Sequence, residues 1–474
     1  MALLDTNAPG PLDGWPDDDF LSGNFAPVHD EIDVPDLQVT GTIPAALNGA
    51  FLRNGPNPAL PPMGDYNWFD GDGMIHAVYL EDGTARYRNR YVDTLGLRRE
   101  RAAGKALFGG INNVVMPEES LFMEMGGPIN NVANTAFAVH GGKLLALWET
   151  GNPHELTFDL DTVGIYDFDG ALPGAMTAHP KIDPETGNMI FFGYSPFPPF
   201  LRFYVVDPSG TIVRSDDIDI PRGVMIHDFQ ITDRHAVFLD SPACFNFEGS
   251  MNGEEAIKWM PENGCRIGVL GLDDPADSIR WIETDPCYGF HYMNGYASDD
   301  GNTVTFDIAL TNSFGIPGNG MISEGGLDLP GLTRFEVDVE SGTVSKQQLS
   351  ELSLEFPRIN NDRMGRFHRY GYSPATRSDE LKFDLLAKYD LVEGTETVFD
   401  LEGGNTGDPF FVADPDGTNE DDGWLLSVVH HADRNESVLE ILAGQDMSRV
   451  ATVSLPRRVP FGFHSTWLTA DDVG

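Results

Sequence analysis

An all-β fold, closed into a β-propeller, is predicted for this 474-residue chain by three observations. Short runs of β-branched and aromatic residues recur along its whole length, separated by tight turns. One strand–turn–strand pattern repeats: an apolar run, an acid, a short Gly-containing turn, then a second alternating strand. No amphipathic helical stretches stand between these units, which argues against βαβ folds. Radial repetition leaves few exposed strand edges, so a propeller is the natural closure and a large β-sandwich the competitor. With 52 Gly and 33 Pro, the composition also favours many short elements. Closed all-β architectures often run long, and one unit covering 1–474 is expected.

In chain order, the repeated pattern first appears at "VYLEDGTARYRNRYV" (78–92). Strand signals follow at "AFAVHGGKLLALWE" (136–149), "NMIFFGYS" (188–195), "RFYVVDPSGTIV" (202–213) and "HAVFLDSP" (235–242). They continue at "TVTFDIAL" (303–310), "RFEVDVESGTVSKQQL" (334–349), "WLLSVVHHA" (424–432), "SVLEILAG" (437–444) and "RVATVSLP" (449–456). Two segments break the rhythm, 105–135 and 244–265, where apolar residues occur without alternation. They are expected to be long loops or short helices capping one face, where such a scaffold carries its function.

Lys+Arg number 30 against 74 Asp+Glu, a formal net charge of -44, so nucleic acid is not an expected partner. At 41% hydrophobic and 11% aromatic residues, the chain can bury a large core. Three cysteines, Cys244, Cys265 and Cys287, form no C-x-x-C pair and fit a reducing, cytoplasmic compartment. The first 20 residues lack a basic stretch and a long apolar run, so no signal peptide is expected. No uncharged apolar run is long enough to span a membrane.

Four of the 12 histidines occupy comparable settings, each beside a strand pattern and next to small, turn-forming or acidic residues. They are His179 in "MTAHPKIDPETG", His227 in "GVMIHDFQIT", His291 in "YGFHYMNGYA" and His464 in "FGFHSTWL". Separations of 48, 64 and 173 residues fit no local zinc motif, and spacing alone favours four satisfied structural histidines. A propeller, however, points the inner strands of successive blades at one axis, so distant histidines can converge there. Four neutral imidazoles would suit Fe(II) and leave coordination positions open for dioxygen, with carboxylates as acceptors for the outer ring N–H groups.

The chain resembles the carotenoid cleavage oxygenase family over nearly its whole length. The carriers are "FLRNGPNP" (51–58), "WFDGDGMIHAV" (68–78), "NTAFAVHGGKLLALWE" (134–149), "TAHPKIDPETG" (177–187), "MIHDFQIT" (225–232), "EFPRIN" (355–360) and "RVPFGFHSTWL" (458–468). The resemblance implies a seven-bladed propeller with a cap of loops and short helices over the iron-bearing face. It implies one non-haem Fe(2+) per chain, held by His179, His227, His291 and His464, with O2 as co-substrate. It also implies carboxylates behind the ligating rings, matched by Glu149 and Glu355. Asp408, in "GNTGDPFFVADPDG", stands where the third glutamate normally lies and is one methylene shorter. Either the strand sits closer, a water bridges the gap, or the grip on iron is weaker. His76, His140, His235, His368, His430 and His431 keep a structural reading, with no carboxylate partner that the sequence names.

The implied reaction is oxidative cleavage of one carbon–carbon double bond by O2, giving two carbonyl products without a protein nucleophile. Nothing in the chain reads as a nucleophile elbow or a P-loop. Relatives that cleave stilbenes or phenylpropenes anchor a phenol through Lys and Tyr, at places that hold Trp148 and Ile111 here. These residues, with Phe69 and Phe290, suit a tunnel for an apolar polyene, so a carotenoid or apocarotenoid is preferred over an aryl alkene. The same resemblance implies an apolar patch at the tunnel mouth for peripheral membrane contact, with "YSPFPPFL" (194–201) and the cap segments as candidates. A charge of -44 opposes anionic lipid. An iron-free binding propeller is the alternative of another class.

Overall fold

The computed structural model describes residues 14–111, 114–125, 127, 129–250, 254–315, 322–323, 326–327, 329–378 and 382–474. The start of the chain, 1–13, on which the signal-peptide expectation rests, lies outside them, as do 112–113, 126, 128 and 251–253 of the expected cap segments.

The architecture is all-β, in antiparallel sheets that follow one another along the chain. The first sheet is built on Gly49–Pro56, Gly73–Glu81 and Thr84–Tyr91. The second runs from Ala136–His140 to Thr162–Ile165, the third from Lys181–Ile182 to Ile212–Ile218, and the fourth from Gln230–Ile231 to Arg280–Thr284. A fifth, seven-stranded sheet runs from Tyr288–Ala297 to Thr395–Asp400. The sixth is built on Gly423–His431, Glu436–Ala443 and Arg449–Ser454. Two joints tie the ends of the chain together: Ser465–Leu468 pairs with the Gly49–Pro56 strand, and Val39–Gly41 pairs with Arg449–Ser454.

Side-chain alternation explains why these sheets stack. Met189 and Phe191 pack against Ala138 and Leu147 of the second sheet, whereas Ile190 and Phe192 pack against Ala236 and Phe238 of the fourth. Successive residues of a strand point to opposite faces, and here both faces are buried, so "NMIFFGYS" is apolar throughout. The same holds around the molecule. Leu52 meets Leu144 between the first and second sheets, and Val237 joins Phe306 between the fourth and fifth. Leu386 meets Leu425 between the fifth and sixth, and Leu439 meets Phe51 between the sixth and first, so the packing returns to its starting point.

Every strand signal quoted above falls on an observed strand, but two expectations change. Leu95–Ala103 is an α-helix, with the Thr94 hydroxyl capping Leu97 N and Gly104 ending it at φ 67°. Within 244–265 the chain forms a β-ribbon, Ala243–Phe245 on Ile257–Trp259, besides the short helix Phe247–Ser250. His464 lies beside the last strand, immediately before its first residue, Ser465.

Candidate metal centre and cavity

His179, His227, His291 and His464 meet at one place, with their ligand atoms all within 4.8 Å of one another. The Nε2 atoms of His179 and His227 are 3.0 Å apart, those of His227 and His291 3.2 Å, and those of His291 and His464 3.2 Å. Each ring comes from a different sheet or its connection. His179 precedes Lys181–Ile182, and His227 precedes Gln230–Ile231. His291 lies in Tyr288–Ala297 where the register shifts between Gly289 and Tyr292, a bulge that re-aims its ring. His464 is pinned by its own backbone: its N–H donates to Thr135 O and its carbonyl accepts from Asn54 N.

Three of the rings have a carboxylate at Nδ1. Glu149 Oε2 is 2.6 Å from His227, Glu355 Oε2 2.5 Å from His291, and Asp408 Oδ2 3.3 Å from His464. Asp408 is mainly engaged elsewhere: its carboxylate is bidentate to Arg358 and accepts from Ser465 N at 2.7 Å. The shorter side chain thus reaches the ring only through a long contact. Burial raises the pKa of Asp408, but the charge and hydrogen bonds of Arg358 outweigh it and hold the carboxyl at about 2. Burial pushes Glu355 up to about 8. Burial also carries His291 and His179 well below the ordinary imidazole value and His464 to about 3. For His227 burial is outweighed by the charge and hydrogen bond of Glu149, and its pKa is raised.

The donor set fits a divalent transition metal. A carboxylate at Nδ1 fixes the proton there and leaves Nε2 as a lone pair. Neutral lone pairs converging at 3.0–3.2 Å repel one another unless a cation lies among them. Two imidazole nitrogens at right angles around an ion, each about 2.1 Å from it, are about 3.0 Å apart. An all-imidazole set suits Fe, Zn, Cu or Ni. The rings bring no charge, so the nearby carboxylates provide it. Asp408 is paired with Arg358, which leaves Glu149 and Glu355 as the carboxyl groups beside the rings that no Arg pairs with.

Three of the four histidines, His227, His291 and His464, line a cavity of about 630 Å³ whose walls are mainly apolar and aromatic side chains. All four residues expected in the tunnel, Trp148, Ile111, Phe69 and Phe290, line it. Both cap segments contribute walls, among them Phe108, Val115 and Ile129 from the first and Phe245 and Ile257 from the second. Phe290 lies with its ring 5.3 Å from that of His227.

Sequence reasoning missed Arg358 and Phe356, although both stand in the quoted "EFPRIN". Phe356 holds φ 50°, uncommon for a residue with a side chain, and sets its ring 5.0 Å from His291 and 5.3 Å from His464. A lone Arg inside an apolar motif was the available signal for Arg358, but its partner is 50 residues away. Of the histidines read as structural, His368 does have a carboxylate nearby: its Nε2 is 3.5 Å from Asp307, both side chains fully buried.

Comparison with known proteins makes this all-β chain an enzyme of the dioxygenase class. The family model described as retinal pigment epithelial membrane protein matches residues 25–469. The carotenoid 9,10(9',10')-cleavage dioxygenase 1 of Arabidopsis thaliana is 36% identical, over 96% of this chain and 90% of that protein. The lignostilbene dioxygenase of Pseudomonas brassicacearum superposes with a TM-score of 0.87 at 27% identity, covering 96% of this chain and 99% of that one. A cobalt-substituted Synechocystis apocarotenoid oxygenase gives 0.83 at 30% identity, covering 94% and 97%. The chain belongs to the carotenoid cleavage oxygenase family.

Proposed function

We propose that the protein uses one Fe(2+) and O2 to cleave a single carbon–carbon double bond of a carotenoid or apocarotenoid into two carbonyl products. The observation that carries this reading is the convergence of four imidazoles, with no carboxylate among them, three of which line an apolar cavity of about 630 Å³. His179, His227, His291 and His464 hold the metal, and Glu149, Glu355 and Asp408 fix the rings behind them. Bound there, the metal supplies binding and activation of dioxygen at its open positions. Each oxygen atom ends in one carbonyl group, so the reaction balances without an external reductant. The protein's own part is to hold the alkene against the centre and keep water out. Phe290 and Phe356, packed on the ligand rings, serve that purpose.

Trp148 and Ile111 support a polyene over a phenolic aryl alkene. Both line the cavity, and neither can pair with a phenolate as Lys and Tyr do. Peripheral membrane contact is supported by Met116, Met123, Ile129 and Phe197, each more than half exposed. Ile129 also lines the cavity, as does Pro196 beside Phe197, which puts apolar surface at its rim. Among the described residues no helix is long and apolar enough to cross a membrane.

We read the architecture as one propeller domain of seven blades. The seven-stranded sheet narrows to two residue pairs, Ser353–Thr376 and Leu354–Ala375. Its two halves pack face to face through Ala309 and Leu332 against Leu385 and Ala387, as neighbouring blades do.

Product analysis by mass spectrometry tests the function. Iron-loaded protein is offered carotenoids, apocarotenals, stilbenes and phenylpropenes under oxygen. Paired carbonyl fragments from a polyene are expected. Cleavage of hydroxystilbenes alone would overturn the substrate, and iron-loaded protein that consumes no oxygen with any of them would overturn the reaction.

A further inference from the structure

Asp228 follows His227 and is buried, at 4% exposure. Its Oδ1 accepts from Phe229 N at 2.7 Å and pairs with Lys181 Nζ at 2.8 Å, while its Oδ2 accepts from Tyr292 N at 3.0 Å. Lys181 stands two residues after His179 and Tyr292 one residue after His291. One carboxylate therefore ties together the segments that carry three of the four imidazoles, each from a different sheet or the connection leading into it.

The bond to Tyr292 falls at the bulge around His291, where the strand loses register with its neighbour. A bulge leaves backbone donors without a ladder partner, and an external acceptor decides how the bulged residue is aimed. The bond to Lys181 works differently. The ammonium is itself buried, with 10% of its side chain exposed, against 2% for Asp228. Breaking such a pair is costly, whereas an apolar pair of the same volume would be as stable, so stability alone does not call for it.

We propose that Asp228 is a positioning residue for the metal centre. It sets the mutual geometry of His179, His227 and His291, and Lys181 anchors it against the His179 segment. His464 lies outside this arrangement, since its ties run to Thr135, Asn54 and Asp408. The proposal rests on the reading of the four histidines as metal ligands.

The test uses full-length protein with Fe(II) and Co(II) as the probes. Asp228→Asn keeps the shape of the side chain but offers one acceptor oxygen instead of two and no charge to Lys181. Its Fe(II) affinity, by chelator competition, is expected to fall about 10–100-fold, as for other residues that orient metal-binding histidines. The visible bands of the Co(II) form are expected to shift, because the ligand geometry changes. A merely structural role would lower the melting temperature of the metal-free protein and leave affinity and Co(II) spectrum as in wild type, which overturns the proposal. Lys181→Met provides a second route should Asp228→Asn not fold. It disturbs the His179 side alone, so a smaller loss of affinity is expected, and unchanged affinity and spectrum in the folded variant overturn the proposal. Wild-type protein that takes up neither metal overturns the metal reading itself.

Discussion

The four imidazoles differ in what holds their outer nitrogens, and that difference sorts their neighbours. Glu149 and Glu355 make short hydrogen bonds to His227 and His291, while Asp408 reaches His464 only at 3.3 Å because Arg358 and Ser465 N claim its oxygens. Glu149→Gln and Glu355→Gln are therefore expected to weaken Fe(II) binding by about 10–100-fold, measured by chelator competition. Arg358→Met acts chiefly on the fold. It leaves a fully buried carboxylate without its counter-ion, at a cost of about 3 kcal/mol in unfolding free energy measured by denaturant titration. The sign of the pH dependence follows from a depressed carboxyl. With Asp408 held at about 2, its contribution to stability is complete above the ordinary Asp value of about 4 and is lost as pH falls through 2. Acid titration of metal-free wild type should show that loss, and Asp408→Asn should lack it.

The first cap segment rests on two buried carboxyls. Asp70 Oδ1 accepts from Ile111 N, and Glu100 Oε1 accepts from Leu107 N and Phe108 N, so both hold the 106–111 loop over the cavity. Burial raises each carboxyl to about 7. The bonds from the loop N–H groups favour the charged form, but burial outweighs them, so closure over these carboxyls is most favourable below about pH 4 and is increasingly opposed by their buried charge as pH rises through 7. Hydrogen exchange corrected for its intrinsic pH dependence should show the loop opening more at pH 8 than at pH 5, and unchanged opening would contradict this. The strands were legible in the sequence because alternation is a local property. The cap was less so. The Thr94 and Gly104 signals of helix Leu95–Ala103 were present, but they flank an Arg-rich stretch with little apolar face. The ribbon of Ala243–Phe245 with Ile257–Trp259 depends on a pairing across a long loop, which no local pattern reports.

Across the whole molecule, the proposed metal centre and the closure of the ring meet at the last strand. Ser465–Leu468 pairs with Ala50–Arg53, and the residue just before it is His464. A chain ending at Gly462 loses both and is expected to melt at a lower temperature as well as to lose metal, whereas His464→Ala should lose metal and keep the closure. The histidine set was found through the family resemblance, since spacings of 48, 64 and 173 residues carry no signal by themselves. Asp228, Arg358 and the bulge at His291 were not found, because each acts through a partner tens of residues away or through strand register. The most direct test of the account is the iron content of anaerobically reconstituted protein, wild type beside His464→Ala. The account predicts one iron per chain in the wild type and almost none in the variant, both being folded. Equal iron in the two, or none in the wild type, would contradict it.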